Sequence, residues 1–307
     1  MPISCHELLL GNGFRASVGD TPNMYSNRSW LPGITGLALI ASSILIGCSG
    51  ANHPERVGNS TFQTLRSTVR GHAQASDDLV QFRSQGAIDV QVDSIGGNVT
   101  VIGNPNITTT TVEVTREAYH GYLRGTEPRE ALGLIDWTAE LLPGPGPIET
   151  LDIRTAYNGP EEWFIRTHIR IETPDLESVQ IRTVRGSVEI VNNTGPVDVH
   201  TTLGDILVAT MYPQRGDNTL IGSEGDIDYR VPAGSTGEFD VQVIEGKIKT
   251  RITEGQWRYK KSANRTDEIH ASLNSGDNPI VIRTTEGDIR IAVVKNPLGY
   301  GPVRTGA

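Results

Sequence analysis

The amino-acid sequence predicts an all-β fold, a β-helix or β-solenoid-like stack of rungs of about 20 residues with one short helix in an insertion. A phrase of the form V-x-V-x-x-x-x-G-x-V-x-V, in which other apolar residues can replace Val, recurs from Val179, Val197, Asn218 and Phe239, at spacings of 18, 21 and 21 residues. Most arms of the phrase alternate apolar and polar residues, and each copy carries glycine at the same place. Such short repeats cannot bury their apolar face alone and stack on their neighbours.

The alternation within each arm predicts which side chains face the core. Successive side chains of a strand point to opposite faces, so Ile206 and Val208 are expected inward and Leu207 outward. The glycine lies in the bend between the two arms, where it can adopt a positive φ without steric cost. An antiparallel sandwich with frequent hairpins is the alternative fold. The stack accounts for the pattern better, because hairpin turns alone do not require a glycine at one fixed position.

Two further copies of the phrase lie outside the main run, at 90–101 and 280–291. The second begins 41 residues after Phe239, close to twice the repeat period. Together with the main run, these copies place the expected repeat domain at 86–294, and the remaining residues, 295–307, form a C-terminal tail.

An insertion at about 102–176 interrupts the repeat. It contains several strand-like segments and one short helix near 126–132, where Thr126 can cap the first turn and Pro128 is tolerated within it. The main stack is expected to resume at Pro174.

The first 47 residues have the features of an exported protein. Arg28 supplies a positive charge, and an apolar run at 31–47 follows and ends in small residues. This order is typical of a signal peptide. The region 1–47 is therefore interpreted as a signal peptide region, and Met24 is the better candidate for the true start.

The apolar run closes on Leu45-Ile46-Gly47-Cys48, which resembles a bacterial lipobox. The resemblance implies that Cys48 becomes the lipid-modified mature N-terminus. Ser49 follows it, which by similarity to bacterial sorting rules favours the outer membrane. Residues 48–85 are polar and are expected to form a tether. The alternative is a plain signal peptide or a short membrane anchor with an incidental cysteine.

Cysteine usage and charge narrow the possible partners. The chain contains only Cys5 and Cys48, so a mature protein that begins at Cys48 has no disulfide. The net charge of −9 argues against a nucleic-acid partner, which requires a basic footprint. The expected partners are a membrane, through the lipid at Cys48, and an unknown protein or glycan. The expected location is the cell envelope, at the outer membrane or the periplasmic face.

Several segments together resemble the bacterial "putative adhesin" domain family of unknown function. The resemblance rests on Val112-Glu-Val-Thr-Arg-Glu-Ala118, the short helix near 127–135, Ile169-Arg-Ile-Glu-Thr-Pro174, the copy at 179–190, the Gly-Asp-Ile steps at Gly204, Gly225 and Gly287, and Val231-Pro-Ala-Gly-Ser235. It covers roughly 86–294. It implies a stacked β-helical fold, often found on exported or membrane-anchored proteins, and supplies no catalytic residues.

The residues that follow the repeated glycine could form a ladder across neighbouring rungs: Ser187, Asp205, Asp226, Lys247 and Asp288. Adjacent acids could bridge a calcium ion, but this ion takes six to eight oxygen ligands. The expectation is therefore that they are solvated bend residues, with no metal and no cofactor bound.

An enzyme that cleaves polysaccharides is the main alternative function, and it needs two carboxylates across a groove. The candidate acids are Asp198, Asp228, Asp240 and Glu189, all at outward positions of alternating strands. The histidines that could assist are scattered over separate segments: His168, His200 and His270. Three tryptophans could stack on sugars but are expected to pack in the core or at its rim: Trp137, Trp163 and Trp257.

These observations favour one function over the other. The sequence predicts a non-enzymatic lipoprotein of the bacterial envelope whose adhesin-like β-stack presents a binding or structural surface. No catalytic residue is expected. A carbohydrate-active enzyme on a β-helix scaffold remains the alternative.

Overall fold

The computed structural model describes residues 55–56, 72–76, 79–84, 86–120, 127–144, 146–260 and 266–300. The predicted signal peptide region, Cys48 and most of the tether lie outside the described residues, as do positions 301–307 of the tail. In the described part of the chain, no helix has the length and apolar character needed to cross a membrane.

Within these ranges the protein is all-β apart from one α-helix, α1 (Glu127–Leu132), and one 3-10 turn (Glu162–Phe164). The strands, in chain order, are β1 (Glu55–Arg56), β2 (His72–Ser76), β3 (Val80–Phe82), β4 (Ile88–Ser94), β5 (Val99–Gly103), β6 (Thr110–Tyr119), β7 (Ile135–Pro143), β8 (Glu149–Tyr157), β9 (Ile165–Thr173), β10 (Leu176–Arg185), β11 (Val188–Val191), β12 (Val197–Leu203), β13 (Ile206–Ala209), β14 (Asn218–Ile221), β15 (Ile227–Val231), β16 (Gly237–Glu245), β17 (Ile248–Ile252), β18 (Trp257–Tyr259), β19 (Glu268–Leu273), β20 (Pro279–Glu286) and β21 (Ile289–Val293).

The described strands form two sheets. Sheet 1 has ten strands in the order β18-β19-β16-β20-β14-β12-β10-β4-β8-β7. Sheet 2 has eleven, in the order β1-β3-β6-β9-β5-β11-β13-β15-β21-β17, with β2 paired to β6. Each copy of the repeated phrase contributes one strand to each sheet, and such a pair of strands is called a rung below.

Neighbouring rungs pair in parallel and in register. In sheet 1, Val179 of β10 lies beside Val197 of β12, and in sheet 2, Val188 of β11 lies beside Ile206 of β13. This pairing is incompatible with the antiparallel sandwich, whose strands would run in alternating directions.

The order of the rungs differs from the order of the chain at both ends. Asn218 of β14 pairs with Ile280 of β20, which in turn pairs with Phe239 of β16. The downstream copy, β20–β21, is therefore inserted between the rungs β14–β15 and β16–β17. At the other end, the rung β4–β5 lies between β8–β9 and β10–β11. The rungs consequently do not follow one another as one continuous coil.

Part of the expected insertion is itself a rung. Val90 of β4 pairs in parallel with Leu151 of β8, and Val99 of β5 pairs in parallel with Ile169 of β9. The stack thus includes β8 and β9, before the expected restart at Pro174. The sequence hides this rung because its bend is long and contains the 3-10 turn in place of the repeated glycine.

Antiparallel strands flank the stack at both ends. At one end β7 pairs with β8 and β6 pairs with β9. At the other end β19 pairs with β16 and β18 pairs with β19. The short helix packs into a small second core, in which Ala131 and Leu132 join Ala118, Phe164 and Ile165.

The main core lies between the sheets and follows the predicted alternation. Ile206 and Val208 are 1% and 0% exposed, whereas Leu207 is half-buried. Tyr229 is fully buried, and this burial raises the pKa of its hydroxyl group. The hydroxyl oxygen accepts a hydrogen bond from Asn218 Nδ2 at 3.1 Å. The inward and outward assignments for β13 are confirmed.

The repeated glycines stack in one column along the bends between the sheets. Each has a positive φ, from 112° to 153°: Gly97, Gly186, Gly204, Gly225, Gly287 and Gly246. The expectation that each glycine provides a positive φ at the bend is confirmed.

Candidate functional site

Parallel in-register pairing places the outward side chains of sheet 1 in straight rows across its strands. One row consists of Asp198, Thr219, Val281 and Asp240, on β12, β14, β20 and β16. The next row, two residues further along each strand, consists of Arg182, His200, Ile221 and Arg283. The two rows bring together residues that are far apart in the sequence.

The first ionic cluster surrounds Asp198. Arg182 donates two hydrogen bonds to its carboxylate, from Nη1 to Oδ1 at 3.2 Å and from Nη2 to Oδ2 at 2.7 Å. His200 Nε2 lies 3.0 Å from Oδ1. Partial burial alone would raise the pKa of Asp198, but the hydrogen bonds and charge of Arg182, together with His200, outweigh it and lower the pKa. Asp198 is therefore ionised at neutral pH.

The second ionic cluster surrounds Asp240. Arg283 Nη2 donates to Asp240 Oδ2 at 2.7 Å, and His270 Nδ1 lies 3.5 Å from Oδ1. His270 also contacts Glu268, with Nε2 2.7 Å from Oε1. Three strand spacings of about 4.8 Å separate the strand of Asp240 from that of Asp198, or about 14 Å in total.

An open groove of about 300 Å³ lies next to the first cluster. Its walls carry charged and hydroxyl groups together with two apolar side chains: Asp93, Arg182, His200, Thr202, Ser223, Val184 and Ile221. Asp93 lies beside Arg182 on the neighbouring strand, and Asp198 contacts both Arg182 and His200, so opposite charges nearly balance here. The groove can offer both donors and acceptors to a ligand.

Asp198 and Asp240 are too far apart to act as a catalytic pair. Asp198 and Asp240 lie on sheet 1, whereas Glu189 and Asp228 lie on sheet 2. Glycoside hydrolases place their two carboxyl groups roughly 5 to 9.5 Å apart, less than the spacing of about 14 Å between Asp198 and Asp240. A general acid also needs a raised pKa, and that of Asp198 is lowered.

The outward position of Asp228 predicts an exposed carboxylate, but the structure shows this carboxylate paired with a buried arginine. Arg230 pairs with both of its oxygens, at 2.9 Å and 2.6 Å. Arg230 is itself only 5% exposed, and its guanidinium lies 5.7 Å from the ring centroid of Tyr300. The C-terminal segment therefore covers this part of sheet 2, which the strand pattern could not predict.

The histidines have acidic partners that the sequence interpretation missed. His168 Nε2 lies 3.3 Å from Glu117 Oε2, and His168 Nδ1 accepts a hydrogen bond from the backbone N–H of Asn98 at 3.1 Å. For His200 and His270 a signal was present, because an acid stands two residues earlier in each case. Residues two apart on a strand share a face, so an acid-x-His pattern in a strand predicts such a contact.

The tryptophans divide into two groups. Trp137 and Trp257 are partly buried against the main core, and the ring centroid of Trp257 lies 4.8 Å from that of Phe239. Trp163 is 61% exposed and packs edge-on against Phe164. Core or rim packing is confirmed for the first two, while Trp163 remains open to solvent at the bend between β8 and β9.

The residues after the repeated glycines are more than solvated bend residues, which corrects the expectation. From Asn98 to Asp288, each side chain accepts a hydrogen bond from the backbone N–H of the equivalent residue on the next rung, and the ladder ends at the backbone N–H of Lys247. The links are Asn98 to Ser187 at 3.0 Å, Ser187 to Asp205 at 3.4 Å, Asp205 to Asp226 at 2.8 Å, Asp226 to Asp288 at 2.8 Å and Asp288 to Lys247 at 3.0 Å.

Cations also neutralise part of this ladder. Arg290 contacts Asp226 at 2.8 Å, and Lys249 contacts Asp288 at 2.6 Å. The hydrogen bond from Lys249 lowers the pKa of Asp288. In the described ranges, no group of three or more histidine, cysteine or acidic side chains is arranged to hold a metal ion.

The fold and the ladder define an all-β repeat domain, and the family comparison agrees. Residues 165–292 match the Toastrack family, DUF4097, a domain of unknown function, so the chain is similar to this family over that range. The resemblance noted in the sequence is thereby confirmed. The match begins at β9, so the rung β4–β5 lies before it.

Similar solved structures include a "putative cell adhesion protein" from Clostridium sporogenes, 12% identical, covering 72% of this chain and 100% of the other, with a TM-score of 0.48. A "putative adhesin" from Bacteroides fragilis is 10% identical and covers 72% of this chain and 97% of the other, with a TM-score of 0.30. Scores this low carry no weight for function. No curated protein matches the sequence.

Proposed function

We propose that the protein is a non-enzymatic lipoprotein of the bacterial cell envelope that presents a binding surface on a solenoid-like stack. In this proposal 1–47 is the signal peptide region, Cys48 carries the lipid, 48–85 is the tether and 86–294 is the binding domain. The protein faces the periplasm or sits on the outer membrane.

The observation that carries this function is the pair of outward rows on sheet 1. Their side chains project from parallel strands in register, so the backbone ladder fixes their spacing. Binding sites built on strands are held more rigidly than sites on loops. The side chains of Asp198 and Arg182 are 37% and 42% exposed, so the groups are both oriented by their ion pair and accessible to a partner.

The arrangement of acids supports binding rather than catalysis. Asp198, Asp228 and Asp240 are each paired with an arginine. The pairing with Arg182 lowers the pKa of Asp198, so this carboxyl group is a poor proton donor. Such groups can still accept hydrogen bonds from a bound partner.

The anchor rests on the lipobox-like segment that ends at Cys48. The chain has a net charge of −9, and an acidic protein gains little from the anionic surface of a membrane. Covalent lipid would supply the attachment that the protein surface does not.

Fractionation of cells that produce Cys48→Ala tests this anchor. The variant should appear in the soluble fraction, whereas the wild type and the matched cysteine control Cys5→Ala should stay with the membranes. Mass spectrometry of the membrane fraction should find an acylated peptide that begins at Cys48. Membrane retention of Cys48→Ala equal to that of the wild type would refute the proposal.

A further inference from the structure

We infer that the outer face of sheet 1 binds one neutral polysaccharide chain, which crosses the strands and contacts two equivalent subsites. The first subsite is the Arg182–Asp198 cluster and the second is the Arg283–Asp240 cluster. This inference rests on the proposed binding function and specifies its ligand.

The two clusters are related by a shift along the sheet. In each, an arginine on one strand pairs with an aspartate on the next strand in the same direction, from β10 to β12 and from β20 to β16. The aspartates occupy one row, since Asp198 pairs with Thr219, Thr219 with Val281, and Val281 with Asp240. A polymer with a repeating unit can meet the same pair of groups twice along this line.

The surface between the clusters allows a continuous chain to pass. The surface between the two charged pairs consists of half-buried, uncharged side chains: Thr219, Val281 and Ile221. The distance to be spanned is three strand spacings, about 14 Å. A polymer can cover that distance, whereas a single small sugar cannot.

The charge of the site selects a neutral ligand. Each cluster pairs one arginine with one aspartate at 2.7 Å, so neither subsite has the excess of cations that a polyanion requires. The paired groups keep unused capacity, because a guanidinium has five N–H donors and a carboxylate about four acceptor positions. Sugar hydroxyls donate and accept at once, so they match such a surface.

The groove beside the first cluster adds the other contacts that a sugar ring needs. Thr202 and Ser223 bring hydroxyl groups, and Val184, which is 53% exposed, brings an apolar surface for the C–H face of a ring. An extended peptide is a weaker fit, because peptides usually add to the edge of a sheet, where backbone groups are unpaired. The outer face offers side chains alone.

A binding assay on the full-length chain in detergent micelles tests the inference. The probes are dextran, mannan and galactan, oligosaccharides of graded length from each, and polygalacturonate as an acidic comparison. The protein should bind at least one neutral polymer, and affinity should rise with length until a chain spans both subsites. Asp198→Asn and Asp240→Asn should each weaken binding by at least about tenfold, since each alters a charged hydrogen-bonding group.

Glu189→Gln is the matched control, because Glu189 is an outward acid on sheet 2 and its loss should leave binding unchanged. Circular dichroism confirms that each variant is folded. The inference would be overturned if the protein bound none of the neutral polymers. It would also be overturned if neither aspartate variant changed the binding, or if a monosaccharide bound with the same affinity as the polymer. A stronger response to polygalacturonate would also overturn it.

The failure of this inference is distinguishable from failure of the proposed function. If Cys48 is acylated but the protein binds no neutral glycan, the proposal of an anchored lipoprotein is supported and the proposed ligand is wrong. Glycan binding by a chain that is not acylated would keep the ligand and remove the anchor.

Discussion

A β-carbon built on Gly204 would lie 2.3 Å from the carbonyl oxygen of Gly186 on the neighbouring rung. The same relationship continues along the column, at 2.3 Å from Gly225 to Gly204, 2.2 Å from Gly287 to Gly225 and 2.0 Å from Gly246 to Gly287. Glycine is therefore required at these bends for space as well as for its positive φ, because each rung turns directly against the backbone of the next.

Gly204→Ala should consequently destabilise the domain by at least about 2 kcal/mol, from the strained φ of 141° and the backbone contact together. Gly146→Ala is the matched control, since Gly146 also has a positive φ, of 74°, but no atom lies near the added carbon. Gly146→Ala should lower the free energy of unfolding by only about 1 kcal/mol. Urea unfolding measures both, and equal losses would contradict the close approach at Gly204.

The alternation in β13 leads to a second prediction. Ile206→Asp should unfold or severely destabilise the domain, because it removes about 1.5–3 kcal/mol of apolar burial and places an unpaired charge in the core. Leu207→Asp should have little effect, since Leu207 is half-buried on the outer face. Thermal melts of the two variants check this, and equal harm from both would mean that the outer face is covered as well.

The first ionic cluster makes stability depend on pH. The folded-state pKa of Asp198 lies below its ordinary value of 3.8, so the cluster contributes stability above that pH and loses it as the pH falls through the lower folded pKa. Asp198→Asn should lower the thermal midpoint at pH 7 and reduce the difference between pH 7 and pH 3. A variant with an unchanged pH dependence would show that Arg182 does not stabilise the carboxylate.

The ladder of residues that follow the repeated glycines can be tested at Asp205, whose carboxylate accepts a hydrogen bond from the backbone N–H of Asp226 at 2.8 Å. Asp205→Ala removes this acceptor and should cost about 0.5–1.5 kcal/mol. Asp205→Asn keeps a carbonyl oxygen at the same place and should be nearly neutral. Chemical denaturation distinguishes the two, and similar losses for both would indicate that the charge matters more than the hydrogen bond.

The sequence was sufficient for features that depend on local pattern. Alternation placed Ile206 and Leu207 on their faces, and the glycine register located the bends, because both depend only on strand geometry. The order of the rungs could not be predicted, since Ile280 and Phe239 occupy the same position of the phrase and would fit equally well beside Asn218. The Arg283–Asp240 pair was missed for that reason, because its partners are 43 residues apart and meet only once β20 lies beside β16.

The order of the rungs places both ionic clusters in one row. Val281 lies between Thr219 and Asp240, one strand from each, at about 4.8 Å and within the range a disulfide can bridge. Thr219 and Asp240 would instead be direct neighbours if the rungs followed chain order. Oxidation of two double variants, in a background with Cys5→Ser and Cys48→Ser, separates these arrangements. Thr219→Cys with Val281→Cys should form the disulfide readily while Thr219→Cys with Asp240→Cys stays reduced, and the reverse result would contradict the inserted rung and the two-subsite surface built on it.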